Sequence, residues 1–593
     1  MNYHRRESRN PWAWIPSLYF AEGLPYVVVM TVSVIMYKRL GISNTDIALY
    51  TSWLYLPWVI KPLWSPVVDL LKTKRTWIVV TQLLIGGGLA GVALTIPIPG
   101  FFQYTLAFFW LLAFSSATHD IAADGFYMLG LSENQQAFYV GFRSTFYRVA
   151  MIVGQGILVI FAGHLETSLG IPPTNFEVEA NPRIVVSQRF DPDSIHISPV
   201  EGELRVVAVP GKLEISTTPT TLENAEFWKS FAENLNDLNG FNDSPMIYKA
   251  PNGTNQFVGN IGVVYFHLSK NPGAGEEIPL NLLNYKGNEN IRILAGGEYI
   301  FNENNWNRPA LAVIQLGSSI EDATSATFKI QSNNIQYAWM FTFLVLALLF
   351  IVFFLYHKAI LPYPKTDSYS IRQGKKNIFN EFFKTFLLFF KRPGIGFILA
   401  FLLLYRFGEA QLVKLAAPFL LDGKEVGGLA LSTSQVGFVY GTVGIIALVV
   451  GGILGGFLAA RHGLKKWLWP MVLAINIPNL VYVYLAYMKP VDLTIIAGSI
   501  AFEQFGYGLG FTAYVLYMIY IADGEYKTSH YAIATGFMAL GMMLPGMFSG
   551  WLQELIGYQH FFVWVVVATI PAFIIAKFIP LDPDFGKKIK QTS

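Results

Sequence analysis

Apolar residues in this chain gather in long runs, not in the short alternating or amphipathic stretches of a water-soluble domain. A helix crosses the hydrocarbon core of a bilayer with roughly 20 mainly apolar residues. Runs of that length or more fall near 12–36, 46–69, 76–97, 101–128 and 138–164, and again near 336–357, 394–420, 433–460, 467–488, 491–522, 531–555 and 561–580. The pattern predicts an all-α membrane protein with twelve transmembrane helices in two six-helix halves. Pro25, Pro57, Pro62 and Pro66 fall inside the runs, as they do in kinked helices of multi-span bundles.

Between the fifth and sixth runs, residues 166–335 are rich in Asn, Pro, Thr and Glu. Short alternating segments appear at Arg183–Phe190, Glu203–Val209, Ile261–Leu268, Asn290–Phe301 and Leu311–Leu316, with one helical stretch, Leu222–Leu238, that ends before Gly240. These predict a β-sandwich-like insert large enough to bury its own core. The remaining segments are 1–165 with spans one to five, 336–357 as span six, a linker over 358–393, 394–580 with spans seven to twelve, and a tail over 581–593. Within the linker, Ile378, Phe379, Phe382, Phe383, Phe386 and Leu387 recur at helical spacing among lysines, as in an amphipathic helix that lies in a membrane interface.

Lys and Arg in the short loops set orientation. With the N-terminus cytoplasmic, the inner set holds Arg5, Arg6, Arg9, Lys72, Lys74, Arg75, the 358–392 linker, Arg461, Lys465, Lys466, Lys527 and the tail; the outer set holds only Lys38, Arg39, Lys424 and Lys489. Both termini are therefore expected in the cytoplasm, and parity places the insert outside. Composition narrows the class further. With 53% hydrophobic and 14% charged residues, net charge +3 and no cysteine, the chain is not a disordered scaffold, a disulfide-stapled module or a nucleic-acid binder. No cofactor is expected, since the chain has no phosphate-binding glycine loop and no HExxH or HxxxH metal motif.

Several segments resemble a known family. The loops Ser65–Arg75 and Gly456–Lys466 resemble the cytoplasmic signature of the major facilitator superfamily. Leu18–Tyr26 (LYFAEGLPY), Lys61–Asp69 (KPLWSPVVD), Thr118–Asp124 (THDIAAD), Arg406–Glu409 (RFGE) and the stretch from Tyr531 to Phe562 with Ser549-Gly550-Trp551-Leu552 look like an AmpG-type muropeptide permease. The resemblance covers the spans and not the insert. It implies a proton-coupled importer of anhydromuropeptides across a bacterial inner membrane, without enzymatic activity. A wider grouping that includes acetyl-CoA transporters leaves another solute as the alternative. His119 stands where that family commonly has Gln, and Arg406-Phe407-Gly408-Glu409 where it has Lys-x-Gly-Asp.

Ionisable groups in a bilayer are costly and usually face the bundle interior in pairs. Asp120 and Asp124 are four residues apart and share a helix face. With Glu22 they are the candidate proton-coupling groups; a purely structural pairing of the aspartates with Arg143 or Arg148 is the competing reading. Tyr19, Glu22 and Tyr26 form a stripe suited to a sugar or peptide, and Glu22 could equally latch to Arg406 or Lys414. Arg406, Glu409, Lys414, Glu503 and Tyr507 complete the candidate substrate set, with Lys414 as a cation for an anionic cargo. Lys61 reads as a snorkelling lysine. Asp69, Arg75 and Arg461 are candidate gate charges. Expected partners are thus a small-molecule substrate, protons, the bilayer and an extracytoplasmic partner of the insert. Two other classes are weaker: a sensor lacks a cytoplasmic effector domain, and an intramembrane enzyme would rest on Asp120 and Asp124 alone.

Overall fold

The computed structural model describes residues 9–185, 203–241, 257–364, 367, 378–522, 527–583 and 585, less positions 274, 289, 333 and 425. The chain divides into two compact units, 1–163 with 339–593, and 164–338. The first part of the helical unit comprises α1 (Pro11–Arg39), α2 (Asn44–Trp53), α3 (Leu56–Leu71), α4 (Lys74–Thr95), α5 (Phe101–Gly130) and α6 (133–168). Helix starts follow local chemistry. Ser43, Thr73 and Ser132 each accept a backbone N–H of the first turn through the side-chain oxygen, and Ser132 with Gln135 forms a full capping box. Single π-turns interrupt α1 at Val28–Val32 and α6 at Val153–Ile157, features common near functional sites.

The second unit is built from β1 (Thr174–Asn181), β2 (Val206–Val209), β3 (Lys212–Ser216), β4 (Thr220–Thr221), α7 (Leu222–Leu238), β5 (Phe257–Val258), β6 (Ile261–Leu268), β7 (Ile278–Gly287), β8 (Ile291–Ala295), β9 (Glu298–Phe301), β10 (Ala310–Leu316) and β11 (Thr324–Ser332). One sheet runs β3-β1-β11-β7-β9 and a second β2-β6-β10-β8, with a small β4-β5 pair beside them. Strand β6 is buried at every position. Its Val264, Phe266 and Leu268 enter the core shared with Phe176, Val178, Leu280 and Phe328 of the first sheet. Its Ile261, Val263 and Tyr265 face Ala225 and Ala232 of α7. A strand covered on both faces is apolar throughout, without alternation, and the unit is a sandwich with a helix over one outer face. The expected strand at Asn290–Phe301 is two strands, split where Gly296 takes a left-handed φ of 75°. At Arg183–Phe190, residues 183–185 are turn and loop, and the remainder lies outside the described residues.

The helical unit continues with α8 (Ile335–Ile360), α9 (Ile378–Phe390), α10 (Ile395–Leu421), α11 (Thr433–His462), α12 (Leu464–Met488), α13 (Leu493–Ile521), α14 (Lys527–Val567) and α15 (Ile570–Ala576). Among the described residues, nine helices are long and apolar enough to cross a membrane. Eight of the expected spans coincide with one such helix each. The second differs because α2 and α3 are separate helices with Leu54 and Tyr55 between them. The tenth, α13, is a single helix of 29 residues, but Glu503, Gln504 and several glycines lower its hydropathy. The eleventh and twelfth merge into the run Ser529–Ala576, within which Gly557 adopts φ 74°. Amphipathic α9 leaves Phe383 and Leu387 about 60% exposed; neighbouring linker residues 365–366 and 368–377 lie outside the described residues.

Candidate functional site

Helix α5 carries Asp120 and Asp124 on one face, and α1 brings Glu22 against them. One carboxylate oxygen from each of these three residues lies within 4.8 Å of the other two. Two cations reach the same point from neighbouring helices. Lys61 on α3 pairs with Asp120, and Arg143 on α6 pairs with Asp124 at 2.6 Å. The Arg143 guanidinium also lies over the rings of Tyr19 and Tyr127, at 4.7 and 5.4 Å, where the π-face adds to its fixation. Five charges from four helices thus converge, and their negative members outnumber the positive by one. Glu22 is buried at 7% exposure, whereas the Arg143–Asp124 pair keeps about a third of its side-chain surface exposed. One oxygen of Glu22 and the Tyr19 hydroxyl, both buried, have no hydrogen-bond partner among the described residues.

This arrangement decides between several readings. Glu22 faces the aspartates, not Arg406 or Lys414, so the proposed latch from Glu22 across the halves is not formed. Lys61 does not snorkel: the ion pair with Asp120 holds it. Arg143 is the cation beside Asp124, while Arg148 is half-buried and reaches toward Gly452. Three acidic ligand atoms so close could also hold a metal ion, but Lys61 and Arg143 already provide two positive charges there, which disfavours a third cation.

The second half of the bundle carries a separate polar cluster. Arg406 sits where α10 breaks between Ile395–Leu404 and Phe407–Leu421, with a non-helical φ of −109°. Its guanidinium grips Glu409 through two bonds, Nε to Oε2 and Nη2 to Oε1, the latter at 2.7 Å. Nη2 also donates to the Tyr507 hydroxyl at 2.8 Å, and the rings of Tyr507 and Phe511 lie 5.2 and 5.0 Å from the guanidinium carbon. Arg406 and Glu409 are therefore a self-compensated pair. Tyr507 belongs to it and not to Glu503, which accepts from Gln504 at 2.9 Å.

Lys414 is different. At 2% exposure it makes no ion pair among the described residues; Nζ donates to the Thr51 hydroxyl at 3.0 Å and lies 5.1 Å from the centre of the Tyr55 ring. Tyr26 meets Trp58 edge-on at 5.2 Å. Of the gate candidates, the side chain of Asp69 lies outside the described residues. Arg75 is fixed to the last turn of α8 and the segment after it: its N–H donates to Asp367 at 3.0 Å, Nη2 to the Lys358 carbonyl at 2.5 Å, and its guanidinium covers Tyr363 at 3.8 Å. Arg461 is exposed in the last turn of α11.

Sequence reasoning missed two networks. Ser17, His357, Gln82 and His119 form a buried chain, with Ser17 to His357 at 2.9 Å, Gln82 to His357 at 2.8 Å and Gln82 to His119 at 3.0 Å. It ties α1, α8, α4 and α5, and it turns His119 away from the carboxylates. The second network, around Lys38 and Asp422, joins the ends of α1 and α10 at 2.6 Å. Both contain polar residues inside or at the ends of apolar runs, a visible signal, but Ser17 and Gln82 meet His357, and Lys38 meets Asp422, across hundreds of residues of sequence.

Residues 21–184 match the BT1 family. A protein named AmpG 2 in Rickettsia typhi is 26% identical over 204 residues, 34% of this chain and 48% of that protein. The anhydromuropeptide permease of Escherichia coli K12 is 27% identical over 187 residues, 32% of this chain and 37% of the permease. A protein named AmpG 4 in Rickettsia conorii is 26% identical over 255 residues, 42% of this chain and 58% of its own length. The chain thus spans about half the length of these curated relatives, and less of the permease. Among solved structures, the nucleoside transporter NupG aligns with a TM-score of 0.52 at 9% identity, over 96% of this chain and 98% of NupG. A D-xylose-proton symporter aligns with a TM-score of 0.52 at 9% identity, over 96% of this chain and 97% of the symporter. The chain is accordingly a multi-pass membrane protein of the major facilitator fold, similar in sequence to AmpG-type proteins and matched by the BT1 family over residues 21–184.

Proposed function

We propose that this protein is a secondary transporter that imports anhydromuropeptide-type fragments across a bacterial inner membrane by alternating access, coupled to protons. Twelve spans in two halves rock around a central cavity, with both termini cytoplasmic and the 166–335 insert periplasmic. The observation that carries the proposal is the five-charge cluster, in which the cations beside Glu22, Asp120 and Asp124 among the described residues are Lys61 and Arg143. An excess negative charge in a low-dielectric bundle is neutralised most readily by a proton. Proton binding then removes the cluster's net charge, and its release restores it. A ligand drives the conformational cycle only where it binds the two orientations differently. A cluster assembled from α1, α3, α5 and α6 meets that condition when small helix shifts change the Lys61–Asp120 or Arg143–Asp124 distance.

Cargo recognition is assigned to residues lining the centre of the bundle. Tyr19, Tyr26 and Glu22 offer ring faces and a carboxylate to a sugar; Lys414 offers the uncompensated cation for a cargo carboxylate. Arg406, Glu409, Tyr507 and Glu503 shape the opposite wall. Asp69, Arg75 and Arg461 serve the cytoplasmic ends of the helices. The support for a muropeptide cargo is the sequence similarity to the anhydromuropeptide permease, 27% identical over 187 residues.

The test is uptake of radiolabelled anhydromuropeptide into proteoliposomes, with and without an inward proton gradient. Wild type should accumulate it only with the gradient, and Asp124→Asn should reduce gradient-driven accumulation by at least about tenfold while counterflow exchange persists. Accumulation retained in the variant would move coupling to Glu22 or Asp120. Absence of any uptake by well-folded wild type would sink the cargo assignment.

A further inference from the structure

At the end of the bundle where α1 finishes and α2 begins, the two halves are joined by a polar junction. Lys38 Nζ meets Asp422 Oδ1 at 2.6 Å, with side chains 16% and 14% exposed, and donates to Asn44 Oδ1 at 2.9 Å. The Asn44 amide, in turn, donates to Gln553 Oε1 at 2.6 Å and to the Tyr558 hydroxyl at 2.8 Å. The Tyr558 hydroxyl donates to Asp422 Oδ2 at 2.6 Å. Beside them, the Thr45 N–H donates to Glu554 Oε1 at 3.1 Å. The backbones themselves touch: a Cβ at Gly550 of α14 would lie 1.9 Å from the Asn44 carbonyl oxygen.

A second seam closes the same end on the opposite flank, between α6 and α11. A Cβ at Gly441 would lie 1.9 Å from the Gln155 carbonyl, one at Gly437 2.8 Å from the Ile160 nitrogen, and one at Gly163 2.5 Å from the Ser434 nitrogen. Glycines permit this approach because no side chain intervenes. Further along α11 the contact loosens: a Cβ at Gly452 would find the Arg148 guanidinium at 3.6 Å, and one at Gly456 would find nothing within 4 Å among the described residues. Both seams are thus tight at the Lys38 end, and the α6–α11 seam opens toward the other.

We propose that Lys38, Asn44, Asp422 and Tyr558 form a latch that closes this end of the bundle, and that its rupture opens the seam beneath to the same side of the membrane. The inference rests on the reading that the two halves rock, and on no particular cargo. Every route to opening at this end parts Lys38 from Asp422. Removing one partner of a desolvated pair leaves the other uncompensated, so each single substitution weakens the closed state selectively. The hydroxyl of Tyr558 and the amide of Asn44 tie α2, α10 and α14 into the same junction.

The chain has no cysteine, so a single introduced thiol reports cleanly. Ser52 is fully buried, its hydroxyl has no hydrogen-bond partner among the described residues, and it lies about two turns beyond Asn44 on α2. In the full chain reconstituted in liposomes, Ser52→Cys should react slowly with a membrane-impermeant maleimide applied on the Lys38 side. Adding Asp422→Asn or Lys38→Gln should speed labelling at least about tenfold, and the exchange Lys38→Asp with Asp422→Lys should return it toward the slow rate. Tyr558→Phe, which removes one hydroxyl, supplies a milder variant should a charge variant fail to fold. Fast labelling with the latch intact overturns the proposal, as do unchanged rates in the folded latch variants or an exchanged pair that stays fast. Labelling reads the gate and not uptake, so a wrong cargo leaves this result standing and a failed latch leaves the cargo reading untouched.

Discussion

Glu409 and Lys414 lie on the same helix, yet their removal should have opposite consequences. Glu409 is the only carboxylate bonded to the Arg406 guanidinium among the described residues, and both are at most 8% exposed. Glu409→Gln would strand that guanidinium in the bundle. Breaking a buried pair from one side costs about 3–5 kcal/mol, whereas replacing both members by apolar groups is often neutral. The denaturation midpoint in detergent should therefore fall sharply for Glu409→Gln and recover in the double variant Arg406→Met/Glu409→Met. Lys414 leaves no charge behind when removed, since Thr51 is neutral. Lys414→Met should keep or raise the midpoint, because it relieves the cost of holding an ammonium away from water. Uptake of an anionic cargo should fall at least about tenfold in the same variant. Equal thermal penalties for the two substitutions would contradict the distinction between a compensated and an uncompensated charge.

At the scale of elements, the long apolar runs were legible because length and hydropathy alone define them: α4, α5, α8, α10 and α11 begin and end within a few residues of the runs that predict them. The aspartate pair on α5 was legible from its spacing, and Leu222–Leu238 from its helical period. Of the sheet β3-β1-β11-β7-β9, only β9 falls within a segment expected to be a strand. Strands β1 and β11 alternate buried and part-exposed positions with Glu, Asn, Thr and Gln between the apolar ones, which weakens their strand signal, and neither falls within the expected segments. Strand β6 was legible as a strand, though as an alternating one and not as one covered on both faces. That double burial has a pH consequence at its end. His267 is 7% exposed, and Nδ1 donates to the Leu268 carbonyl at 2.9 Å. Burial holds its imidazole below the ordinary value of 6.5. Since the native state resists protonation more than the unfolded one, stability is full above that ordinary value and declines as pH falls through it. Hydrogen exchange of the β6 amides, corrected for intrinsic rates, should therefore show less protection at pH 5.5 than at pH 7.5 in the full chain. His267→Asn should flatten the difference; an unchanged pH dependence in that variant would place its origin elsewhere.

For the whole molecule, the decisive structural fact is how the insert begins and ends. The Asn334 N–H donates to the Glu166 carbonyl at 3.0 Å, and a Cβ at Gly170 would lie 2.2 Å from the Ser332 carbonyl oxygen. The chain therefore leaves and re-enters at one point, and closing that gap requires only a short connection. The insert also has two apolar cores made from its own strands, loops and helix, which are completed without side chains of the helical unit. A loop-closure entropy that grows only as the logarithm of length explains why so large an insertion is tolerated between two membrane helices. Replacing residues 171–331 by a short Gly/Ser linker should accordingly leave a monodisperse helical bundle whose denaturation midpoint stays close to that of the full chain. The same excised protein separates two roles for the insert. If the insert captures cargo, uptake at saturating substrate should persist while the half-saturating concentration rises. If it is bound by a partner outside the membrane, transport in purified liposomes should be unchanged at every concentration. Collapse of the bundle on excision would show instead that the insert is part of the fold's stability, and that the adjacent ends reflect a brace rather than a module.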